Sequence, residues 1–569
     1  MFKEYENLGS RRGSFLQANK KLLLLAAGTL LVTGTVWHTS IQSHAPSPAY
    51  SPRCGKIDPI APEFDKSIDR IFNDPEFKMA SLAKFSNSLK IPTEIQDVNP
   101  VPADNLDYYK EFFKFHDYLN ETFPLVHKHL TLEKVNDVGL LYTWKGKDPS
   151  LKPMMLTAHQ DVVPVNRDTI DQWTFPPFSG HYDNETDYVW GRGAGDCKNL
   201  LIAELEAVEQ LITDGFTPNR TLLIALGFDE ESSGILGAKS LGKFLFERYG
   251  ENSIYSIVDE GGFVEKLDNN VYVAAPITGE KGYVDMEITI HGFGGHSSVP
   301  PDHTTIGVAA QLIELMESRP FDFSFTSENP FYGLLTCIAE HKRDLPEEIK
   351  YAILDAPYSE KSKGNLIKFI SKQKLMRELL RTSQAVDIIR GGIKANALPE
   401  VTSFLVNHRI DVNSNVQQVI ERDLGLVRAI AKRLDYGITL DGKEIIPATE
   451  NGYIELQPAR TLEPAPKSPV VGSPVWDLFA GTIQNVFENG HLKDEPEAEF
   501  YVTTSLVSGN TDTKYYWSLT ENIYRFIGMV GLPDMFRTIH SVDEHIEMSG
   551  HLSTIAFVYE YIVNVNERA

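Results

Sequence analysis

Three short apolar runs, each stopping at a histidine or a carboxylate, constrain this chain more than any other feature. Met154–Ala158 runs into His159-Gln160-Asp161. Thr221–Phe228 (TLLIALGF) runs into Asp229-Glu230-Glu231, and Ile254–Val258 into Asp259-Glu260-Gly261-Gly262. Runs this short and apolar suit buried strands. Between the first two, residues 201, 205, 208 and 212 are apolar, as one face of a helix is. Strands alternating with helices predict an α/β fold with a mostly parallel sheet flanked by helices. In open sheets of this kind ligands gather beyond the carboxyl ends of the strands. The three segments are therefore predicted to share one edge.

A fourth segment, Gly191-Arg192-Gly193-Ala194-Gly195-Asp196, is a glycine-rich loop ending where a helix begins. It lacks the Gly-Lys-[Ser/Thr] ending of a phosphate loop and does not follow the usual strand, which disfavours nucleotide binding. Nucleic acid is excluded as a partner by charge: 78 acidic against 54 basic residues leave a net −24, whereas phosphate recognition needs basic surface.

The pattern changes near Glu280. Tyr283–His291 (YVDMEITIH) and Val401–Asn407 alternate as half-exposed strands do, and Val416–Leu434 has helical spacing. Residues 280–465 are expected to form an inserted α+β domain with an antiparallel sheet. The charged, mostly helical stretch 340–378 is expected to elaborate that domain. A proline-rich segment, 461–476, marks the return. Residues 63–279 and 466–569 then make the two parts of the main domain, the second contributing helices at 477–489 and 549–566.

The first 62 residues do not read as globular. Residues 22–37 carry no charge (LLLLAAGTLLVTGTVW), and extension to Ile41 reaches the length of a membrane span. Lys3, Arg11, Arg12, Lys20 and Lys21 precede it, whereas only Arg53 and Lys56 follow closely. The positive-inside rule then gives a cytosolic tail (1–21), a transmembrane signal anchor (22–41) and a lumenal remainder, beginning with a Ser/Pro-rich linker (42–62). The rival is a cleaved signal peptide, for which Ser43-His44-Ala45 is a weak site. Glycosylation sequons at Asn120, Asn184 and Asn219 all fall on the lumenal side. With three cysteines, Cys54, Cys197 and Cys337, no disulfide framework is expected, and a single bridge stays open.

Clustered carboxylates repel one another, so bringing Asp196, Glu231 and Asp259 to one sheet edge is unfavourable unless cations fill the gap. Histidine and carboxylate ligands without a set of thiolates suit zinc, or else cobalt or manganese. A carboxylate can bridge two such ions, and Asp161 stands where it can orient the imidazole of His159. Each segment alone has a plainer reading: an Asp-Glu-Glu is ordinarily a solvated loop, and a histidine after a strand is ordinarily structural. Only the conjunction points to a metal centre. Position in the run favours Asp259 as a ligand, with Glu260 as a competitor.

The segments TAHQDVVPV, GRGAGDCKN, FDEESSG, VDEGG, GFGGHSSVPP, GGIKANALPE, SGNTDTKYY and TIHSVDEHI, spread over residues 154–547, resemble the di-zinc metallopeptidase family of aminoacylases and carboxypeptidases. The resemblance implies a zinc-exopeptidase-like fold with an inserted lid or dimerisation domain, and two zinc ions per subunit. It implies that His159 and Asp259 hold one ion, Glu231 and His540 the other, and that Asp196 bridges them through a residue whose following peptide bond is cis. It further implies Glu230 as general base, His296 as an oxyanion donor, and Asn396 and Arg409 as ligands of the substrate carboxylate; Asp161, which orients His159, completes the expected catalytic set. His296 lies on the insert, so the lid must close or a partner subunit of a homodimer must supply it. The implied activity is release of the C-terminal amino acid from short peptides, with glycine as a candidate penultimate residue. Hydrolysis or synthesis of N-acyl amino acids at the same site is the alternative. An inactive membrane-tethered binding protein is the alternative of a different class. Members with an N-terminal anchor are fungal and vacuolar, which implies a vacuolar location.

Overall fold

The computed structural model describes residues 54–568. The expected cytosolic tail, the expected span 22–41 and the first part of the linker lie outside the described residues. Among the described residues no helix is long and apolar enough to cross a membrane.

Ten strands form the main sheet. Its path runs Thr131–Val135, Gly139–Trp144, Leu222–Gly227, Met154–His159, Ile257–Asp268, Ile523–Val530, Ile277–Glu280 and Ser505–Val507, with Val271–Ala274 and Glu499–Val502 attached at one side. The four central strands are mutually parallel, and the antiparallel pairs lie outside them. Met154–His159 and Leu222–Gly227 are buried along their whole length, which is why both read as unbroken apolar runs rather than alternating ones. Met154–His159 sits between Leu222–Gly227 and Ile257–Asp268, the next two strands of this sheet in sequence, so the chain reverses its direction of travel across the sheet there. This is the place where α/β sheets open a crevice at their carboxyl ends.

Helices cover both faces. Lys198–Thr213 starts directly after Cys197 and is buried on almost every side. It packs beside the C-terminal helix Met548–Arg568 in the largest apolar cluster. Pro75–Leu89 is capped by Asp74, whose side chain accepts from Glu76 N, with proline in the first turn.

The second sheet runs Ser383–Gly391, Val401–Ile410, Gly282–His291, Tyr453–Leu462, Gly437–Leu440 and Lys443–Ile446. Gly282–His291 and Val401–Ile410 alternate buried and half-exposed residues along their length, as their period of two predicts. Helices Thr305–Glu317 and Val416–Leu434 cover one face and share its apolar cluster. Their ends are set by Thr304 and Asn415, which accept from Gly307 N and Gln418 N.

Two expectations need correction. Helices Phe331–His341, Glu347–Leu354 and Glu360–Ile370 do not elaborate the second sheet. They bury Leu334, Leu335, Ile338, Ile353 and Leu366 against Leu267, Val271, Val273, Tyr501 and Leu506 of the main domain. Residues 54–62 are not a free linker either. Cys54 is bonded to Cys337, Ile60 N donates to Gly481 O, and Asn564 and Arg568 hold Ile60 O and Ala61 O. Cys197 remains a buried free thiol.

Candidate metal centre

The three strand-end segments and the glycine-rich loop meet, as their shared edge predicts. His159 closes its strand with the ring turned so that Nδ1 faces Asp161 O at 2.9 Å and Nε2 faces Asp196 Oδ1 at 2.9 Å. The other oxygen of Asp196 lies 2.9 Å from His540 Nε2, and His540 Nε2 lies 3.1 Å from Glu231 Oε2. Asp196 therefore turns one oxygen to each histidine. Two groups of ligand-type atoms result: His159, Asp196, Cys197 and Glu260 in one, and Asp196, Glu231 and His540 in the other. The Asp196–Cys197 peptide is cis.

Asp161 does more than face the imidazole. Its carboxylate accepts from Glu230 N and Glu231 N at 3.2 and 3.0 Å, so one buried residue holds the ring of His159 through its carbonyl and the turn that presents the two glutamates through its side chain. That turn is tight, with Ser233 left-handed at φ 86°.

Asp259, the expected ligand, is not the carboxylate that the geometry brings to His159. Glu260 Oε1, not an Asp259 oxygen, lies 3.4 Å from His159 Nε2. Asp259 instead accepts from Glu260 N, and its Oδ2 is buried without a hydrogen-bond partner. The strand extends over Ile257–Asp268, so Asp259 lies inside it rather than after it. Neighbours in a strand point to opposite faces, and Glu260 is the one turned to the histidine.

The electrostatics are those of a crowded anionic pocket. Burial, then the charge of Asp196, pushes the Glu231 carboxyl up to about 7; the same two causes push Glu260 up to about 8. Burial, with Glu260 and Asp512 nearby, holds Glu230 well above the ordinary carboxylate range. Asp196 goes the other way: burial opposes its charge, but hydrogen bonds from His159 and His540 outweigh it and hold it low. Those to Asp196 and Glu231 push His540 up to about 10. Glu231 Oε1 is buried with no hydrogen-bond partner, an atom that a cation would satisfy.

The residues expected from the second domain sit apart from this cluster. His296 is exposed on a two-residue strand, Gly295–His296, paired with Ala397–Leu398. Its Nδ1 is 2.7 Å from Ser298 Oγ. Asn396 is exposed beside it and accepts, through its carbonyl, from Ser297 N. Arg409 is half-buried at the seam between domains, where its Nη1 donates to Asn510 Oδ1 at 3.3 Å and its guanidinium faces the Tyr283 ring.

Two residues of the site escape a reading of the sequence, for different reasons. Glu260 competes there with Asp259 and loses on position. Glu544, in the segment that follows His540, had no signal at all: a carboxylate among 78 acidic residues becomes visible only when the loops it joins are seen together.

A parallel sheet that gathers histidines and carboxylates at its strand ends, beside a second domain carrying a further exposed histidine, defines a two-domain hydrolase of the metal-dependent class. The chain belongs to peptidase family M20/M25/M40, whose family model matches residues 155–564. It is 59% identical over 527 residues to carboxypeptidase S of Saccharomyces cerevisiae, covering 92% of this chain and 91% of that one. It is 30% identical over 461 residues to the human N-fatty-acyl-amino acid synthase/hydrolase PM20D1, covering 80% and 82%. Among solved structures, human carnosine dipeptidase 1 superposes with a TM-score of 0.56 at 14% identity, over 88% of this chain and 99% of that one. That likeness establishes the fold.

Proposed function

We propose that this peptidase is a zinc-dependent carboxypeptidase that releases the C-terminal amino acid from short peptides, with glycine favoured in the penultimate position. The observation that carries the metal reading is Asp196, whose two oxygens face two different histidines at equal distance. The donor set fits two zinc ions: His159, Asp196 and Glu260 would hold one, and Asp196, Glu231 and His540 the other. Zinc bound there supplies the acidity that makes water a nucleophile near neutral pH.

This chain's own groups do the rest. Glu230, whose environment favours holding a proton, accepts one on its carboxylate and returns it to the leaving amine nitrogen. His296 donates to the oxyanion that forms as the scissile carbonyl becomes tetrahedral. Arg409 and Asn396 take the free carboxylate of the substrate, for which a guanidinium fork is suited. The 59% identity to a carboxypeptidase favours peptides. The relatives that act on N-fatty-acyl amino acids favour a second reading, hydrolysis or synthesis of N-acyl amino acids at the same site.

The chain is further read as a single-pass membrane protein, with a cytosolic N-terminus, an anchor at 22–41 and the catalytic body in the vacuole. The Cys54–Cys337 bridge supports an oxidising lumen. Asn120, Asn184 and Asn219 are all exposed, which supports their use as glycosylation sites. A homodimer is proposed on the exposed edge strand Ser383–Gly391, where Ile388 and Ile389 face solvent.

The test is a panel of dipeptides and N-acyl amino acids, assayed for wild type and Glu230→Gln with and without chelator. Loss of a general base is expected to lower kcat by about 10²–10⁴-fold while the zinc content stays the same. Full activity in E230Q, or in verified metal-free protein, ends the assignment.

A further inference from the structure

The loop that carries Asp196 is held by one side chain. Glu544 is 1% exposed, and its carboxylate collects four donors from residues 192–196. Arg192 Nη1 lies at 2.6 Å, Gly193 N at 3.1 Å, Gly195 N at 2.8 Å and Asp196 N at 3.1 Å. The strand His545–Glu547 pairs with Tyr188–Trp190, and Gly191 N extends the ladder to Glu544 O. That register delivers the Glu544 side chain to the loop. Glycine at 193 permits the turn, at φ +87°, and at 195 a side chain would press on Ile539 and Glu544.

Glu544 also belongs to the segment that presents His540. His540 and Asp543 are both left-handed, at φ 59° and 63°, and Asp543 is fixed by Thr174, whose N and Oγ1 both donate to it. Conformations of this kind persist only where the surroundings determine them. One buried carboxylate thus ties the loop bearing the shared Asp196 to the turn bearing His540, and both ligands depend on where it sits.

We propose that Glu544 is a positioning residue of the metal centre: by clamping the 192–196 loop it presets the place of Asp196 between His159 and His540 before any zinc arrives. The inference rests on the two-zinc reading above. It predicts that residues 192–196 keep their arrangement in metal-free protein, and that losing the clamp weakens zinc binding rather than merely lowering stability.

Two measurements on the full chain test it. Metal-free wild type and Glu544→Gln are titrated with zinc by calorimetry, and their thermal unfolding is followed with and without zinc. A group that supports a ligand typically carries roughly 10–100-fold in metal affinity. E544Q is therefore expected to bind zinc more weakly by that factor, and its zinc-induced rise in Tm is expected to shrink. If E544Q lowers Tm equally with and without zinc and binds zinc as wild type does, the role is structural only and the proposal falls. Should E544Q not fold, hydrogen exchange of wild type decides. The amides of Gly193, Gly195 and Asp196 are expected to exchange slowly without metal, and rapid exchange overturns the clamp. If wild type itself takes up no zinc, the metal reading fails instead, whatever Glu544 does.

Discussion

At the scale of residues, the centre is a crowd of carboxylates of the kind that cations reconcile, and the choice between Asp259 and Glu260 shows how finely it is drawn. The two are adjacent carboxylates, Asp259 buried and Glu260 half-buried. Glu260 faces His159 at 3.4 Å, while Asp259 turns to a place where burial pushes it up to about 6. Glu260→Ala is therefore expected to retain less zinc after dialysis than wild type. Asp259→Asn, which changes a carboxyl that accepts from Glu260 N instead of facing His159, is expected to retain as much. Metal analysis of the two purified variants checks this, and the reverse pattern restores Asp259. His159, Asp196, Glu230 and Glu231 were legible in the sequence because each closes an apolar run or opens a helix. His540 was not. It follows a four-residue helix, Met535–Thr538, in a left-handed conformation that no pattern announces, and sixteen histidines compete for the role. Only the resemblance singled it out.

At the scale of elements, periodicity located strands and helices well, but not which neighbour each would cover. Val416–Leu434 was read with its observed ends because Asn415 caps a strongly amphipathic run. The stretch 340–378 reads as part of the inserted domain because its sequence neighbours lie there, yet its helices pack on the main domain, since an apolar face does not name its partner. The disulfide was invisible for a similar reason, since its cysteines are 283 residues apart. It ties the segment before the main domain to these helices. Cys54→Ser with Cys337→Ser is expected to lower stability by about 2–5 kcal/mol, read as an earlier midpoint in urea, and reductant should then change nothing further. A second element carries a pH dependence. Glu560 lies within the buried helix Met548–Arg568, accepts from Asn485 Nδ2 at 2.8 Å, and is pushed up to about 8 by burial. Its folded pKa exceeds the unfolded value of about 4.3, so the native state binds more protons between them and stability falls as pH rises through that window. Glu560→Gln keeps the shape without the titration. Its Tm is expected to fall less steeply than that of wild type between pH 5 and 8, and an unchanged slope refutes the assignment.

At the scale of the whole molecule, the two domains meet at a seam that is strongly pinned on the main-domain side. Glu280, where the chain leaves the main sheet, is buried against Arg525 at 2.9 Å. Next to it, Lys281 Nζ donates to Glu378 O and Arg381 O, both at 2.7 Å. Arg409 reaches across to Asn510. His296, by contrast, is exposed among exposed apolar neighbours, Phe293 and Val299, and its hydrogen bonds are local. One buried ion pair and two carbonyls thus hold the chain where it leaves the main sheet, whereas the edge strand Ser383–Gly391 leaves its outer side unpaired among the described residues and bears Ile388 and Ile389, the kind of edge that invites another strand. The dimer proposed above would deliver His296 from a second copy rather than by rotation at the seam. Mixing His296→Ala with Glu230→Gln under conditions that allow exchange places, in mixed dimers, an intact Glu230 from one copy with an intact His296 from the other. Neither variant alone has such a site, and random pairing at equal amounts gives it to about a quarter of the subunits. Peptidase activity is expected to rise to that fraction of wild type on mixing. If the mixture stays as slow as its components while subunit exchange is verified, His296 acts within its own chain and the seam must open and close.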